Sequence, residues 1–396
     1  HLAIGAAPLH DFPRGLLFRY PSELVNPKLD QDNSLLPRLI VGVAVSAAIV
    51  VVIAATAFSP SAAVTSVIVD GETPSGVDGA TVALRGIALQ LHGPDNDEQY
   101  KTAIDEIAAL GANSILLTAH GYMEHARANA IHIDMRKSPT PSQVESLIAH
   151  AQSRGLRVML MPVVLLSHPR GSEWRGTIDP PDWDDWWKEY EQFVMFYVGI
   201  AKRARVESFI VGSELVSTEK FTDKWQRLIG NVRAALPECQ LGYSANWDHY
   251  KPIEFWDRLD FVGMTSYYKL AKKDAPTVEE IVRSWQPIRD EITSWRAEIA
   301  KPLVLTEVGW CSQEGAAKAP WNYYQNMKAT PAGLEEQRRL YEGFLQAWAG
   351  TPGLHGVMWW EWTTEAGGAD DYGYSPKGKP AADVLRDWLR EPEKSR

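Results

Sequence analysis

The sequence predicts an α/β protein folded as a (β/α)8 TIM barrel. From Val82 to Leu389, apolar segments of strand length alternate with longer helical segments, and eight strand-like segments occur. Continuous apolar runs indicate parallel strands that are buried on both faces. Eight such units over this length fit the usual size of the barrel. The rival fold, an open doubly wound sheet, would place a glycine-rich phosphate-binding turn after the first strand, where this sequence has none.

The predicted elements follow one another in a regular order. The strands cover residues 82–91, 113–118, 156–166, 207–213, 240–245, 260–266, 303–306 and 354–360. The helices cover residues 97–110, 142–153, 183–203, 221–236, 277–300, 334–348 and 381–389. Gly111 follows the first helix, where a glycine typically closes one. Pro302 precedes the seventh strand, where the missing N–H removes no ladder hydrogen bond.

Composition excludes one class of partner. The chain has 396 residues and a net charge of −10, whereas a nucleic-acid-binding surface would be basic. The apolar fraction of 45% and the charged fraction of 23% are ordinary for a globular domain. Sixteen tryptophans are many, and indole rings serve both core packing and ligand stacking.

Four consecutive regions are expected along the chain. Residues 1–38 are polar and lack a hydrophobic period, so we expect a disordered cytoplasmic tail. Residues 39–58 carry no charge and are long enough to span a bilayer as a single transmembrane helix. Residues 59–80 are expected to be a linker, and residues 81–392 the barrel domain.

Charge placement predicts the orientation of this anchor. Four basic residues precede the apolar segment: Arg14, Arg19, Lys28 and Arg38. No Lys or Arg follows it until Arg85, so the positive-inside rule places the barrel on the extracytoplasmic side of the cell membrane. A cleaved signal peptide is the alternative, with a possible cleavage site at residues 61–63, although the apolar segment is long for one.

The two cysteines, Cys239 and Cys311, are expected to be free and buried. Cys239 would precede a strand and Cys311 would follow one, so they would lie at opposite ends of the barrel. Neither belongs to a His/Cys cluster, and we expect neither a metal site nor a cofactor.

Two apolar strands end in a glutamate, and these are the candidate catalytic residues. Glu214 follows the fourth strand and Glu307 the seventh. A charge at the end of a buried strand is costly unless it is paired or used, and the carboxyl ends of barrel strands are where active sites form. A lone glutamate of this kind could equally be a helix cap or a surface ion pair. Two carboxylates facing one cleft are what glycoside hydrolysis requires.

The segments FIVGSEL, PLVLTEVGW and GVMWWEW resemble clan A glycoside hydrolases, in particular the family 113 β-mannanase group. The resemblance covers roughly Val82 to Leu389. It implies a (β/α)8 barrel with Glu214 as acid/base, Glu307 as nucleophile and a retaining mechanism. Ser213 departs from the wider clan, which places Asn before the acid/base. That departure puts in doubt the substrate contact that the Asn would make.

Further residues are expected to bind substrate. The resemblance implies that Tyr267, after the sixth strand, donates a hydrogen bond to the nucleophile. Strand alternation allows only one of Trp359 and Trp360 to face inward, and Trp360 is the expected sugar platform. The remaining candidates lie at or just beyond strand ends: Gln90, His92, His120, Asn246, Trp247 and Trp310. Trp186 and Trp187 are expected to be helix packing.

The expected function is a retaining glycosidase acting on β-linked polysaccharide or oligosaccharide, with β-mannan the first choice. One alternative is a membrane-tethered carbohydrate-binding barrel without catalysis, which would bind sugar but release no reducing ends. A metal-dependent hydrolase barrel is a further alternative. It rests only on the IHID segment at residues 131–134, which lacks the His-x-His pattern at a strand end.

Overall fold

The computed structural model describes residues 83–94 and 96–391 and confirms the closed barrel. Eight strands pair in sequence order, each parallel to the next, and β8 closes on β1. They are Leu84–Gln90 (β1), Ser114–Met123 (β2), Arg157–Leu166 (β3), Ser208–Ser213 (β4), Gln240–Ala245 (β5), Phe261–Thr265 (β6), Leu303–Val308 (β7) and Leu354–Trp362 (β8).

The helices surround the barrel. Those of the described residues are Asp97–Leu110 (α1), Pro141–Ser153 (α2), Trp183–Ala204 (α3), Thr222–Ala235 (α4), Val278–Ile299 (α5), Pro331–Trp348 (α6) and Ala381–Arg390 (α7). Short 3₁₀ turns occur at Arg175–Thr177, Val216–Thr218 and Trp256–Arg258, and the last of these is the only helical element between β5 and β6. Gly111 adopts the left-handed conformation (φ 103°) at the end of α1, as predicted.

Three strands extend beyond their predicted ends, and the extensions matter for the site. β2 continues to Met123 because it stays paired with β3 up to Leu166. β7 includes Glu307, and β8 includes Glu361. The sequence analysis ended these strands at Thr118, Thr306 and Trp360, whereas in the fold backbone pairing continues beyond each of them.

The core has two layers. A smaller cluster fills the barrel: Leu84, Ala88, Leu116, Met159, Met161, Val163, Ile210, Phe261, Val304 and Met358. A larger one lies between the strands and the helices and contains Trp186 and Trp187, which confirms both as helix packing. Cys239 and Cys311 are free and buried, also as predicted.

The predicted tail, anchor and linker (residues 1–38, 39–58 and 59–80) lie outside the described residues. Within the part of the chain that is described, no helix has the length and apolar character needed to cross a membrane.

Candidate active site

Glu214 and Glu307 both lie at the carboxyl end of the barrel, but their backbones differ. Glu214 is the first residue beyond β4 and has a left-handed φ of 52°. Glu307 sits within β7, in extended conformation. Their exposed fractions are 6% and 3%, so each carboxylate is almost completely removed from bulk water. Such burial requires compensating partners, and each residue has its own.

Thr265 contacts one of the two glutamates and pairs in register with the other. It lies on β6, directly across from Glu307 in the β6–β7 register. Its Oγ1 donates a hydrogen bond of 2.9 Å to Oε1 of Glu214. One side chain therefore links the end of β4 to the β6–β7 pair and brings both glutamates to one place.

Arg175 is the charged partner of Glu214. It comes from the 3₁₀ turn after β3, and its Nη2 donates to Oε2 of Glu214 at 2.5 Å. A guanidinium at this distance favours negative charge on the carboxylate. The sequence analysis missed this residue, because it lies in a loop with no strand-end signal.

Glu307 has a neutral hydrogen-bond partner instead. Tyr267 Oη donates to its Oε2 at 2.8 Å, the contact that the family resemblance implied. Burial raises the pKa of Glu307 to about 8; the charge of Glu214 adds to the shift, while Arg175 and Tyr267 partly offset it. Burial therefore favours the protonated form of Glu307.

A third carboxylate, Glu361 on β8, adjoins this pair. Gln90 Nε2 donates to its Oε2 at 2.7 Å, and burial raises the pKa of Glu361 to about 7. The negative charge of Glu361 also contributes to the raised pKa of Glu307. Its pattern, an apolar strand ending in Glu, was present in the sequence but was not counted there as a candidate site.

The structure brings together the three candidates from β1 and β2. His92 Nε2 lies 3.2 Å from Oε1 of Gln90, and the His92 ring stacks on His120 with centroids 4.4 Å apart. His120 is 1% exposed, and burial holds its pKa well below the usual value, so its imidazole is neutral. The three side chains therefore form one group, in which His120 contacts His92, His92 contacts Gln90, and Gln90 contacts Glu361.

The two tryptophans of β8 separate as alternation predicted. Trp360 packs against the cluster inside the barrel and keeps part of its surface exposed. Trp359 is fully buried on the opposite face, stacked on Tyr341 with centroids 4.3 Å apart. Trp360 is thus the one that can present a ring to the top of the barrel.

The placement of Trp310 requires a correction. It was expected to line the cleft, but it has no exposed surface and lies in the helix layer, edge-on to Trp285 and Tyr341. After β7 the chain turns outward, and Gln337 of α6 donates to the Trp310 carbonyl at 2.8 Å. The sequence could not distinguish this outward turn from one into the cleft.

Asn246 and Trp247 follow β5 and behave differently. Asn246 Nδ2 donates to Asp248 at 2.6 Å, within its own turn. The Trp247 amide donates to Thr265 Oγ1 at 3.1 Å, which places this residue next to the Thr265–Glu214 link. The Trp247 ring stacks on Trp321 (5.7 Å between centroids, 14° between planes), and Trp321 is 39% exposed. Trp321 belongs to the β7–α6 loop and was not predicted.

Several buried polar atoms around the carboxylates have no protein partner within the described residues: Arg175 Nε, Ser213 Oγ and His120 Nδ1. Buried polar groups are normally satisfied, so unpartnered ones beside a cleft are suited to a ligand rich in hydroxyl groups.

The segment at residues 131–134 does not resemble a metal site. Asp134 accepts a two-atom contact from Arg136, at 2.9 Å for each hydrogen bond. The backbone of His132 bridges to Tyr122. Across the described ranges, no group of three or more His, Cys, Asp or Glu side chains could hold a metal ion.

Comparison with protein families gives a match over most of the barrel. The model of Glycoside Hydrolase Family 113 matches residues 89–379. A comparison with curated proteins gave no match.

Solved structures are similar over the same region. The GH113 β-mannanase of Alicyclobacillus acidocaldarius, solved in complex with ManMIm, has 26% identity and a TM-score of 0.69, covering 78% of this chain and 97% of that one. A complex of a GH113 β-1,4-mannanase has 22% identity and a TM-score of 0.70, covering 78% and 100%. The endo-β-1,4-mannanase of Thermotoga petrophila has 12% identity and a TM-score of 0.52, covering 81% and 80%. The last two similarities concern the fold alone.

Proposed function

This chain belongs to glycoside hydrolase family 113 and is a glycosidase, and we propose that it hydrolyses β-linked mannan or a related hexose polymer with retention of configuration. The observation that carries the proposal is the pair of buried carboxylates at the ends of β4 and β7, with Thr265 bonded to Glu214 and paired in register with Glu307. The names of the similar enzymes, which are mannanases, support mannan as the first substrate.

In the proposed first step, Glu307 attacks the anomeric carbon while Glu214 gives its proton to the leaving oxygen. The glycosidic bond breaks, and an ester bond forms between Glu307 and the sugar. In the second step, Glu214 takes a proton from water, and the resulting hydroxide attacks the anomeric carbon and releases Glu307 as a carboxylate. Double displacement of this kind returns both residues to their starting states.

The surroundings of Glu307 oppose the ionised form that the first step requires. Burial favours its protonated form and raises its pKa to about 8. The proposed mechanism therefore needs Glu307 to lose its proton when substrate enters. In the second step Glu214 acts as a base, and its contact with Arg175 suits that role.

A chain of sugar rings suits the surfaces around the carboxylates. Trp360 offers a ring inside the mouth of the barrel, and the stacked pair Trp247–Trp321 offers another beside Thr265. The unpartnered atoms of Arg175, Ser213 and His120 supply donors and acceptors for sugar hydroxyls.

The location of the enzyme is a proposal from sequence alone. We propose that residues 39–58 anchor the chain by a single pass, with the barrel on the extracytoplasmic side of the cell membrane. Protease treatment of intact cells should then degrade the barrel. A barrel that is protected until the cells are lysed would contradict this orientation.

The function is tested by reducing-sugar release from mannan, glucomannan, xylan and β-glucan, with Glu307→Ala as the matched control. We expect release from mannan that disappears in the variant. Sugar binding without release would favour the non-catalytic barrel. Trapping with a 2-deoxy-2-fluoro-β-mannosyl fluoride, followed by peptide mapping, should place the label on Glu307. A label on Glu214 would reverse the two roles.

A further inference from the structure

The backbone at Glu214 is held in an uncommon conformation. A left-handed φ for a residue other than Gly is unfavourable and persists only where the surroundings enforce it. The β4–β5 register also shifts between Ile210 and Ser213, just before this point. Something beyond regular strand pairing must therefore hold the Glu214 peptide in place.

Two neighbouring residues of β5 hold the two amides that flank the Glu214 side chain. The Glu214 N–H donates to the carbonyl of Ser244 at 2.8 Å. The Leu215 N–H, which has left the strand ladder, donates instead to the hydroxyl of Tyr243 at 3.0 Å. A side-chain oxygen thus replaces the backbone acceptor that the irregular strand end lacks.

The Tyr243 hydroxyl is fixed in turn by a buried carboxylate. It donates to Oε1 of Glu219 at 2.7 Å, and Oε2 of Glu219 faces Nδ1 of His249 at 2.6 Å. Tyr243 is fully buried and Glu219 is 3% exposed, whereas the His249 side chain is 38% exposed and reaches the surface. The chain of contacts runs from His249 through Glu219 and Tyr243 to the amide that follows Glu214.

Nothing in the proposed chemistry uses Glu219. Burial raises the pKa of Glu219 to about 7, and the hydrogen bonds from Tyr243 and His249 partly offset this shift. Burying a carboxyl group costs desolvation free energy, which an apolar residue at this position would not cost. Its contacts account for its presence, because both oxygens are used to orient Tyr243 and His249. The Tyr243 hydroxyl can accept from Leu215 only while its own proton points to Glu219.

We propose that Tyr243 and Glu219 are positioning residues that hold the carboxyl group of Glu214 at its working position through the Leu215 amide. The inference rests on the proposed acid/base role of Glu214. Removing the Tyr243 hydroxyl would leave the Leu215 N–H without its acceptor and free the peptide that carries Glu214. Reaction steps that need Glu214 would then slow, while attack by Glu307 would remain.

Leaving-group dependence distinguishes this role from a structural one. Mannohexaose needs protonation of its leaving oxygen, whereas 2,4-dinitrophenyl β-mannobioside has a leaving group that departs without it. For Tyr243→Phe we expect kcat/KM on mannohexaose to fall by about 10- to 100-fold, the size expected for a misplaced catalytic group. On the dinitrophenyl substrate kcat/KM should change by less than about threefold, since kcat/KM there reports attack by Glu307.

Tyr190→Phe is the matched control. Tyr190 is equally buried, and its hydroxyl also bonds to β4, at the carbonyl of Val211, but it does not contact the Glu214 peptide. This variant should retain the wild-type ratio between the two substrates. Glu219→Gln keeps an oxygen that can accept from Tyr243, so it should fall between wild type and Tyr243→Phe. Glu219→Gln also replaces Tyr243→Phe as the test variant if thermal melting shows that Tyr243→Phe is unstable.

Glu214→Ala separates failure of the inference from failure of the proposed role. Suppose that Glu214→Ala shows strong leaving-group dependence. If Tyr243→Phe and Glu219→Gln then lose the same activity on both substrates, or lose no activity on either substrate, the positioning role is wrong. If Glu214→Ala shows no such dependence, the acid/base assignment itself falls, and the inference with it. Azide should restore turnover of the dinitrophenyl substrate in Glu214→Ala and in Tyr243→Phe, because azide needs no general base.

Discussion

Glu214 and Glu307 are the same residue type at the same end of one barrel, yet their surroundings are opposite. Glu214 lies just outside its strand, in a left-handed conformation, and contacts a guanidinium. Glu307 remains inside its strand, paired with Thr265 of β6, and contacts a phenol. Glu214 makes a direct ion pair with Arg175, whereas the direct hydrogen-bond partner of Glu307 is the neutral Tyr267 hydroxyl.

The difference shows how one fold separates two carboxylates by environment. Environments that push two titratable groups apart assign the acid and the base before substrate arrives. Here the contact with Arg175 suits Glu214 to act as a base, whereas burial opposes ionisation of Glu307. Substrate entry must therefore leave Glu307 ionised before it can attack. The variants below test each side of the contrast.

The largest effect is expected from the two carboxylates themselves. Glu307→Ala should lower kcat/KM by about 10⁴-fold or more on every substrate, because no covalent intermediate can form. Glu214→Ala should cause a similar loss on mannohexaose but a much smaller one on a dinitrophenyl glycoside, since general acid catalysis contributes about 10²- to 10⁴-fold. The measurement is kcat/KM for both variants on both substrates. Wild-type-like activity in either variant on mannohexaose would contradict the assignment.

Arg175→Gln tests the ion pair between Arg175 and Glu214. A hydrogen bond to a charged group contributes about 1.5 to 3 kcal/mol, so kcat/KM on mannohexaose should fall by about 10- to 100-fold. Arg170→Gln, an exposed arginine in the same loop, is the matched control and should behave as wild type. Arg175→Lys keeps the charge but not the planar geometry and should recover only part of the loss. Equal activity of the Arg170 and Arg175 variants would show that the ion pair has no catalytic role.

Tyr267→Phe tests the neutral hydrogen-bond partner of Glu307. The Tyr267 hydrogen bond lowers the pKa of Glu307, so its removal should raise that pKa further. Since the reaction needs ionised Glu307, the acid limb of the kcat/KM profile should move to higher pH, with about a tenfold loss near pH 6. Tyr374→Phe, a neighbouring tyrosine whose hydroxyl bonds to Pro320, should leave the limb in place. A limb that moves to lower pH would mean that Tyr267 does not donate to Glu307.

Much of this arrangement could be predicted from the sequence, and the exceptions share a cause. The barrel and the positions of Glu214 and Glu307 follow from apolar strands that end in a charge, because parallel strands buried on both faces have nearly continuous apolar sequences. Trp360 followed from alternation along β8. In each case the signal is local and the strand geometry converts it into a position.

Arg175, Trp321 and Trp310 could not be predicted in the same way. The first two reach the site from loops, where no period fixes the direction of a side chain. Trp310 was misplaced because the chain leaves β7 and turns outward onto α6, a choice made by the tertiary contact with Gln337. The hydrogen bond between Tyr243 and Glu219 could not be predicted either, because it joins residues 24 positions apart through a hydroxyl group.

The smallest predicted effect concerns stability, and it comes from the burial of Glu307. The pKa of this residue rises from 4.5 in an open chain to about 8 in the fold, so the folded state binds its proton more tightly. Its stabilising contribution is fully present below pH 4.5 and is lost as the pH rises toward 8. Glu307→Gln stays neutral at every pH and avoids that loss. We expect the melting temperatures of variant and wild type to be similar near pH 4.5 and to diverge by several degrees at pH 8, in favour of the variant. Glu238→Gln, at an exposed position, should show no such divergence. A wild type that is the more stable of the two at pH 8 would mean that Glu307 is ionised in the folded protein, and the contrast with Glu214 would then disappear.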